Sequence, residues 1–353
     1  MRTLQSNDSL IYFENSLQQL GKFIAENNYS KILFLVDTNT EEQCLPLVKA
    51  ALPDLTEFDV IEVDPGEENK NIDFCIGIWK MLLDFKADRK SLLINLGGGV
   101  ITDMGGFAAS TFKRGLDFVH VPTTLLSQVD ASVGGKTGID MDHVKNIIGT
   151  FSQPKAVFIE TDFLKSLGRR QIVSGFAEII KHGLIYDDAF FRRLVETEPE
   201  QVTTEIIYRS VEIKNEVVTS DPYEKGLRKI LNFGHTIGHA IESYSLMHDK
   251  DPILHGEAIA VGFICEAFLS ARLTGLTDAE LKEVQMAIFK YFPKYKLKKN
   301  SYNALSELMQ NDKKNSDGLI NFSLLTKIGH CSTDNFCTES DIFDSLNYYS
   351  ECN

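Results

Sequence analysis

Short unbroken apolar runs punctuate the first half of the chain. Lys31–Val36 (KILFLV) stops at Asp37 and predicts a strand buried on both faces. Runs at Phe58–Val63, Leu92–Leu96, Phe118–Val121 and Val157–Ile159 repeat that pattern. Between the first three, apolar residues recur at helical period over Glu41–Ala51 and Ile72–Phe85. Strands alternating with helices predict a parallel sheet with crossover connections. After about Asp162 the period changes. Apolar positions three and four apart run through Ile172–Ile185, Val202–Val218, Leu227–Ser243, Ala258–Ala271 and Leu281–Phe289. Only Leu319–Thr326 reads as extended, one arm of a late hairpin. The pattern predicts an α/β domain over 1–165 and a mainly helical domain over 166–353, with a cleft between them.

At 353 residues the chain has the length of two domains, and 43% hydrophobic with 24% charged residues is the composition of a folded protein. A net charge of −14 argues against a general nucleic-acid or anionic-membrane binder, while leaving room for a local basic pocket. The N-terminal residues lack an apolar signal core, and no stretch approaches 18 uninterrupted apolar residues. The six cysteines form no C-x-x-C pair, so reduced, packed thiols in a cytoplasmic protein are expected.

Candidate chemistry begins where the Leu92 run meets Gly97-Gly98-Gly99, followed by a helix expected to open at Val100. Glycines let backbone approach a diphosphate, and a helix N-terminus offers free N–H groups. The match to G-x-G-x-x-G is imperfect, since Thr102 stands at the third glycine. Gly135-Lys136-Thr137 is not a P-loop, because Asp130 occupies the first glycine position. His235 and His239, at i and i+4, share a helix face, and His255 and Glu178 add further nitrogen and oxygen donors. Spacing does not choose among His182, His235, His239 and His255. His120, His143, His248 and His330 read as ordinary histidines. Arg114, Lys136, Lys145, Lys181, Lys214, Arg228, Lys313 and Lys314 lie in polar segments and read individually as solvated surface. Converging in one cleft, they would suit a substrate with a carboxylate and a phosphate.

Taken together, these segments resemble the dehydroquinate synthase family, part of the sugar-phosphate cyclase superfamily. The resemblance is carried by Pro65-Gly66-Glu67 with Lys70, GGGVITDMGGFAASTFKRG (97–115), VPTTLLSQVDASVGGKTGID (121–140) with Lys145-Asn146, GFAEIIKHG (175–183), LRKILNFGHTIGHAIE (227–242), LHGEAIAVG (254–262) and Asp312-Lys-Lys-Asn315. It implies a Rossmann-like NAD domain followed by a helical metal-binding domain, usually in a homodimer. By motif match, Glu178, His235 and His255 are the ligands of Zn²⁺, with Co²⁺ an alternative. NAD falls to Gly97, Gly98, Gly99, Asp103 and Lys145, with Asp37, Glu67, Lys70, Thr123 and Thr124 around its adenosine and ribose parts. Asp130, Lys136, Lys181 and His239 match catalytic positions. Arg114, Asn146, Lys214, Arg228, Asn232 and Lys313 match substrate positions, as do Lys136 and His239, with Lys314 equally able to take the place of Lys313. Arg114 matches a residue that reaches a neighbouring subunit's phosphate.

The reaction so implied converts 3-deoxy-D-arabino-heptulosonate 7-phosphate to 3-dehydroquinate and phosphate. It proceeds by transient oxidation at C5, β-elimination of phosphate, re-reduction, ring opening and an aldol closure. The alternatives are a relative acting on sedoheptulose 7-phosphate and a metal-dependent polyol dehydrogenase. The dehydroquinate-type pattern at Lys214, Arg228, Asn232 and His239 argues against the first, and the many cationic candidates argue against a neutral polyol.

Overall fold

A computed structural model describes residues 2–142, 144–310 and 319–352. His143, Asp312, Lys313, Lys314 and Asn315 lie outside the described residues. The chain packs as two compact units: residues up to Gly168 together with Thr203–Asn215, and Arg169–Val202 together with the chain from Glu216 onward.

In the first unit all five expected runs are strands. The strands in chain order are β1 (Thr3–Ser6), β2 (Ser9–Tyr12), β3 (Ile32–Asp37), β4 (Asp59–Val63), β5 (Leu92–Gly97), β6 (Asp117–Pro122), β7 (Lys136–Met141), β8 (Val144–Phe151) and β9 (Ala156–Phe158). Seven of them form one sheet in the order β1-β2-β9-β6-β5-β3-β4, and every pairing except β1 with β2 is parallel. Period-two alternation builds a core on each face. Leu33, Leu35, Leu93 and Phe118 pack with Ile78, Ile101 and Met104 on one side. Phe34, Val36, Ile94 and Val119 pack with Leu20, Leu45 and Phe163 on the other.

Because β4 flanks β3 on one side and β5 on the other, the crossovers diverge at β3 and β5. Ligands of such sheets bind outside the carboxyl ends at this switch. Here those ends are Asp37 and Gly97.

The helix expected over Glu41–Ala51 is two, Thr38–Gln43 and Leu45–Ala51, because Pro46 near the second start has no N–H to continue the first ladder. The β7–β8 hairpin was not expected, since its residues alternate weakly. Gly138 pairs with Gly149 there, and a Cβ on Gly149 would lie 2.2 Å from the Thr137 carbonyl oxygen. Helix Thr204–Ser220 returns most of its length to the first unit. Tyr208 stacks edge-on with Phe13 at 5.0 Å, and Asn215 donates to the Gln5 carbonyl at 2.9 Å. A helical period says which face is apolar, not which unit will cover it.

The second unit is built around helix His255–Leu273, packed by Arg169–Tyr186, His235–His248, Asp278–Tyr291 and Glu339–Glu351. Its apolar and glycine-rich sequence lets it be buried nearly all round. The expected hairpin is β10 (Ile320–Lys327) with β11 (His330–Cys337). The helix expected over Leu227–Ser243 is interrupted: Leu227–Asn232 is a 3₁₀ turn, and Gly234 at φ 79° turns the chain before His235–His248 begins. That left-handed conformation suits glycine. The six cysteines are reduced, and all but Cys331 are buried.

Candidate functional site

β5 delivers Gly97 to the sheet's carboxyl edge, and helix Gly99–Thr111 starts directly after Gly98. A Cβ on Gly97 would sit 2.6 Å from Ile101 and clash, and one on Gly98 would crowd Thr124 at 3.0 Å. Gly98 supplies no side-chain cap, leaving the first N–H groups of the helix for an anion. Thr123 donates its N–H to the Gly97 carbonyl at 3.0 Å, and Thr124 Oγ1 accepts from Ser127 N at 3.1 Å. Thr102 is tolerated because the close approach of helix to strand comes one turn later: a Cβ on Gly105 would fall 2.1 Å from Asn95 Oδ1. Asp37 caps the Thr38–Gln43 helix, accepting from Thr40 N at 2.8 Å.

Beside this turn lies a charge cluster around the buried Lys70. Lys70 Nζ is 2.6 Å from Asp103 Oδ2 and 2.7 Å from Asn146 Oδ1, and Lys145 Nζ is 2.9 Å from Glu67 Oε1. Asn146, at φ 50°, donates its N–H to Asp140 Oδ1 at 2.7 Å, and Asp140 N donates to the Lys70 carbonyl at 2.8 Å. Burial opposes the Lys70 ammonium, but Asp103, Glu67 and Asp140 outweigh it and raise its pKa. Burial also raises the Asp103 pKa, against the pull of Lys70. Lys214 Nζ is held 2.7 Å from Asp130 Oδ1.

In the second unit Glu178 is fully buried, with Lys181 ion-paired to it one turn on. His235 Nε2 and His255 Nε2 converge on the same Glu178 oxygen, Oε1, at 3.2 and 3.1 Å. Burial works to raise the Glu178 pKa, but Lys181 and His235 pull it well below the usual carboxylate range. Burial lowers the His235 pKa, while Glu242 and Glu178 overcome burial at His255 and raise it to about 10. The His239 ring centre lies 5.1 Å from that of His235 and 5.6 Å from that of His255. The backbone of the Leu227–Asn232 turn plants Arg228, whose guanidinium donates to the Pro222 carbonyl at 2.7 Å, and Asn232, which donates to Glu224 Oε1 at 2.7 Å.

The structure thus changes the picture of the cations. Lys181, Lys214 and Arg228 are buried and partnered rather than solvated, as is Lys70, which the resemblance places with the nucleotide. Arg114 and Lys136 are exposed, Arg114 beside Asp88, Arg89 and Lys113. Sequence reasoning assigned no role to Glu242, which faces His255 Nδ1 at 3.1 Å, or to the Phe233 carbonyl, 3.1 Å from His235 Nδ1. Glu242 was findable, since it follows His235 by seven residues, two turns along the same face.

A glycine-opened Rossmann-like sheet joined to a helical unit with a buried Glu–His–His donor set defines a class of two-unit α/β-plus-helical enzyme architectures. The same fold occurs in 2-deoxy-scyllo-inosose synthase complexed with carbaglucose-6-phosphate, NAD⁺ and Co²⁺, with a TM-score of 0.86 at 22% identity over 98% of this chain and 100% of that one. It also occurs in the 2-epi-5-epi-valiolone synthase of Streptomyces hygroscopicus subsp. jinggangensis with NAD⁺ and Zn²⁺ bound, with a TM-score of 0.83 at 23% identity over 99% of each. Residues 60–174 match the family of 3-dehydroquinate synthase N-terminal domains and residues 175–315 that of the C-terminal domains. The 3-dehydroquinate synthase of Parabacteroides distasonis is 42% identical over 350 residues, 98% of this chain and 99% of that one. The chain belongs to the 3-dehydroquinate synthase family.

Proposed function

We propose that the chain converts 3-deoxy-D-arabino-heptulosonate 7-phosphate to 3-dehydroquinate and phosphate, using NAD and a divalent metal ion, zinc in preference to cobalt. In this reading it works as a cytoplasmic homodimer; no helix among the described residues is long and apolar enough to cross a membrane. The observation that carries the proposal is the convergence of His235 and His255 on one oxygen of Glu178 in a chain of this family. Ligands about 2.1 Å from a tetrahedral zinc stand about 3.4 Å apart. His235 Nε2 and His255 Nε2 stand 3.2 and 3.1 Å from the Glu178 oxygen, close to that spacing, and His235 and His255 also group with His239 as possible ligands. The Gly97–Gly99 turn fits the diphosphate of NAD.

When bound, NAD supplies a reversible hydride acceptor and the metal a Lewis acid. The chain's own residues then have distinct duties. Glu178 is kept ionised by Lys181, so it is ready as a ligand without losing a proton first. Lys70 fixes Asp103 and Asn146 under the nucleotide turn. Lys214, held by Asp130, and Arg228, held by the Pro222 carbonyl, are assigned to the substrate carboxylate, whose binding orients the substrate. Asn146 and Asn232 offer amides to hydroxyls. His239, Lys136, Arg114 and Lys313 are assigned to the phosphate, where fixed positive charge stabilises the leaving dianion.

The test is phosphate release from 3-deoxy-D-arabino-heptulosonate 7-phosphate with Zn²⁺ and substoichiometric NAD⁺. Many phosphates per NAD⁺, with 3-dehydroquinate as product and no accumulating NADH, is the expected result. Stoichiometric NADH with a polyol would replace the proposal by a dehydrogenase, and turnover of sedoheptulose 7-phosphate alone by a different cyclase.

A further inference from the structure

Helix His235–His248 begins among buried residues, where its first N–H groups need acceptors. Gly234, its N-cap, has no side chain to accept them. The acceptor comes instead from the neighbouring helix. Glu266 is fully buried, and its Oε2 accepts from Gly234 N at 2.6 Å while its Oε1 accepts from Ile237 N at 3.2 Å. It stands on helix His255–Leu273, three turns beyond His255.

The two helices touch backbone to backbone around this contact. A Cβ on Gly262 would lie 1.9 Å from the Gly234 carbonyl oxygen, and one on Gly238 2.9 Å from Ile259 Cα. Phe233 stacks on Phe263 at 5.6 Å beside this contact, an apolar contact that sets the spacing of the helices. The two bonds to one carboxylate act directly on the backbone of the helix start. His235 is the first residue after Gly234, so any slip of this start moves its imidazole directly.

We propose that Glu266 is a positioning residue for the metal centre: by gripping the N–H groups of Gly234 and Ile237, it sets where His235 Nε2 stands relative to Glu178 and His255. The inference rests on those three residues holding the metal. A glutamine at 266 keeps the size but turns an NH₂ toward an N–H, and an aspartate keeps both oxygens but not the reach. Either loses at least one of the two bonds.

The experiment measures Co²⁺ binding to the full-length chain by chelator competition, together with the visible absorption of the bound ion and thermal unfolding. Native chain, Glu266→Gln, Glu266→Asp and His235→Ala are compared. The expected result is a folded Glu266→Gln protein whose Co²⁺ dissociation constant rises about 10- to 100-fold, the size typical for groups that orient ligands, with shifted absorption bands. Should Glu266→Gln fail to fold, Glu266→Asp decides on the same readout. A folded variant with native affinity and native bands overturns the proposal. Failure of the native chain to take up one Co²⁺, or native-like binding by His235→Ala, overturns instead the assignment of the metal ligands.

Discussion

Replacing Lys70 by methionine tests the charge cluster beside the Gly97–Gly99 turn. The Lys70 side chain is 4% exposed and the Asp103 side chain 18%, with 2.6 Å between Nζ and Oδ2. Methionine keeps most of the length and leaves Asp103 without its nearest counter-ion. Removing one member of a buried pair costs about 3–5 kcal/mol. At roughly 2–4 °C per kcal/mol for a unit of this size, the midpoint should fall by about 6–20 °C. The loss should depend on pH. Burial already raises the Asp103 pKa against the pull of Lys70, and without Lys70 it rises further. The folded variant then keeps a proton on Asp103 that the unfolded chain gives up near pH 4. Its penalty is therefore small at acid pH and grows until pH passes the raised value. Lys70 itself adds no slope in that range. Its folded pKa lies above the ordinary lysine value, so its contribution is complete below about 10.4 and fades only at more alkaline pH. Urea unfolding of the native chain, Lys70→Met, Asp103→Asn and the double variant at pH 5 and pH 8 measures this. The double variant should be more stable than Lys70→Met at pH 8. A Lys70→Met penalty below about 1 kcal/mol and equal at both pH values would refute the reasoning.

Three further outcomes are expected. Glu178→Gln and His235→Ala should each lower turnover by about 10²–10⁴, the equivalent of losing several kcal/mol of Lewis-acid stabilisation, while NAD binding measured by fluorescence stays near native. Glu242→Gln removes the anion facing His255 Nδ1 and should weaken metal binding about 10- to 100-fold in chelator competition; unchanged affinity would mean that His255 is oriented by other contacts. His120 is buried against Asn95, and burial lowers its pKa to about 3. The unfolded chain therefore takes up a proton near pH 6.5 that the folded one refuses, so stability falls as pH drops below that value. His120→Gln should lose less stability than the native chain between pH 6 and pH 4, and parallel curves would contradict it.

The sequence by itself determined five of the seven sheet strands but not β1 and β2, because β3 and β5 are buried on both faces and an uninterrupted apolar run has few other uses. It also determined the glycine turn, where a Cβ at Gly97 would clash, and the set of candidate ligands, because imidazoles and carboxylates at helical spacing are uncommon in cores. Local pattern broke down where a distant partner decides. Pro46 and Gly234 each split a helix that apolar periodicity had joined, and the β7–β8 hairpin forms through a Gly138–Gly149 contact that alternation does not mark. The tertiary structure alone decided that Thr203–Asn215 packs with the first unit, and that Lys70, Lys181, Lys214 and Arg228 are interior charges. It alone brought Glu242 to His255 and Glu266 to the start of helix His235–His248. A charged residue reads as surface until the fold supplies its counter-charge, and that partner stands 33 residues away for Lys70, 84 for Lys214 and, for Glu266, in backbone N–H groups 32 and 29 residues before it.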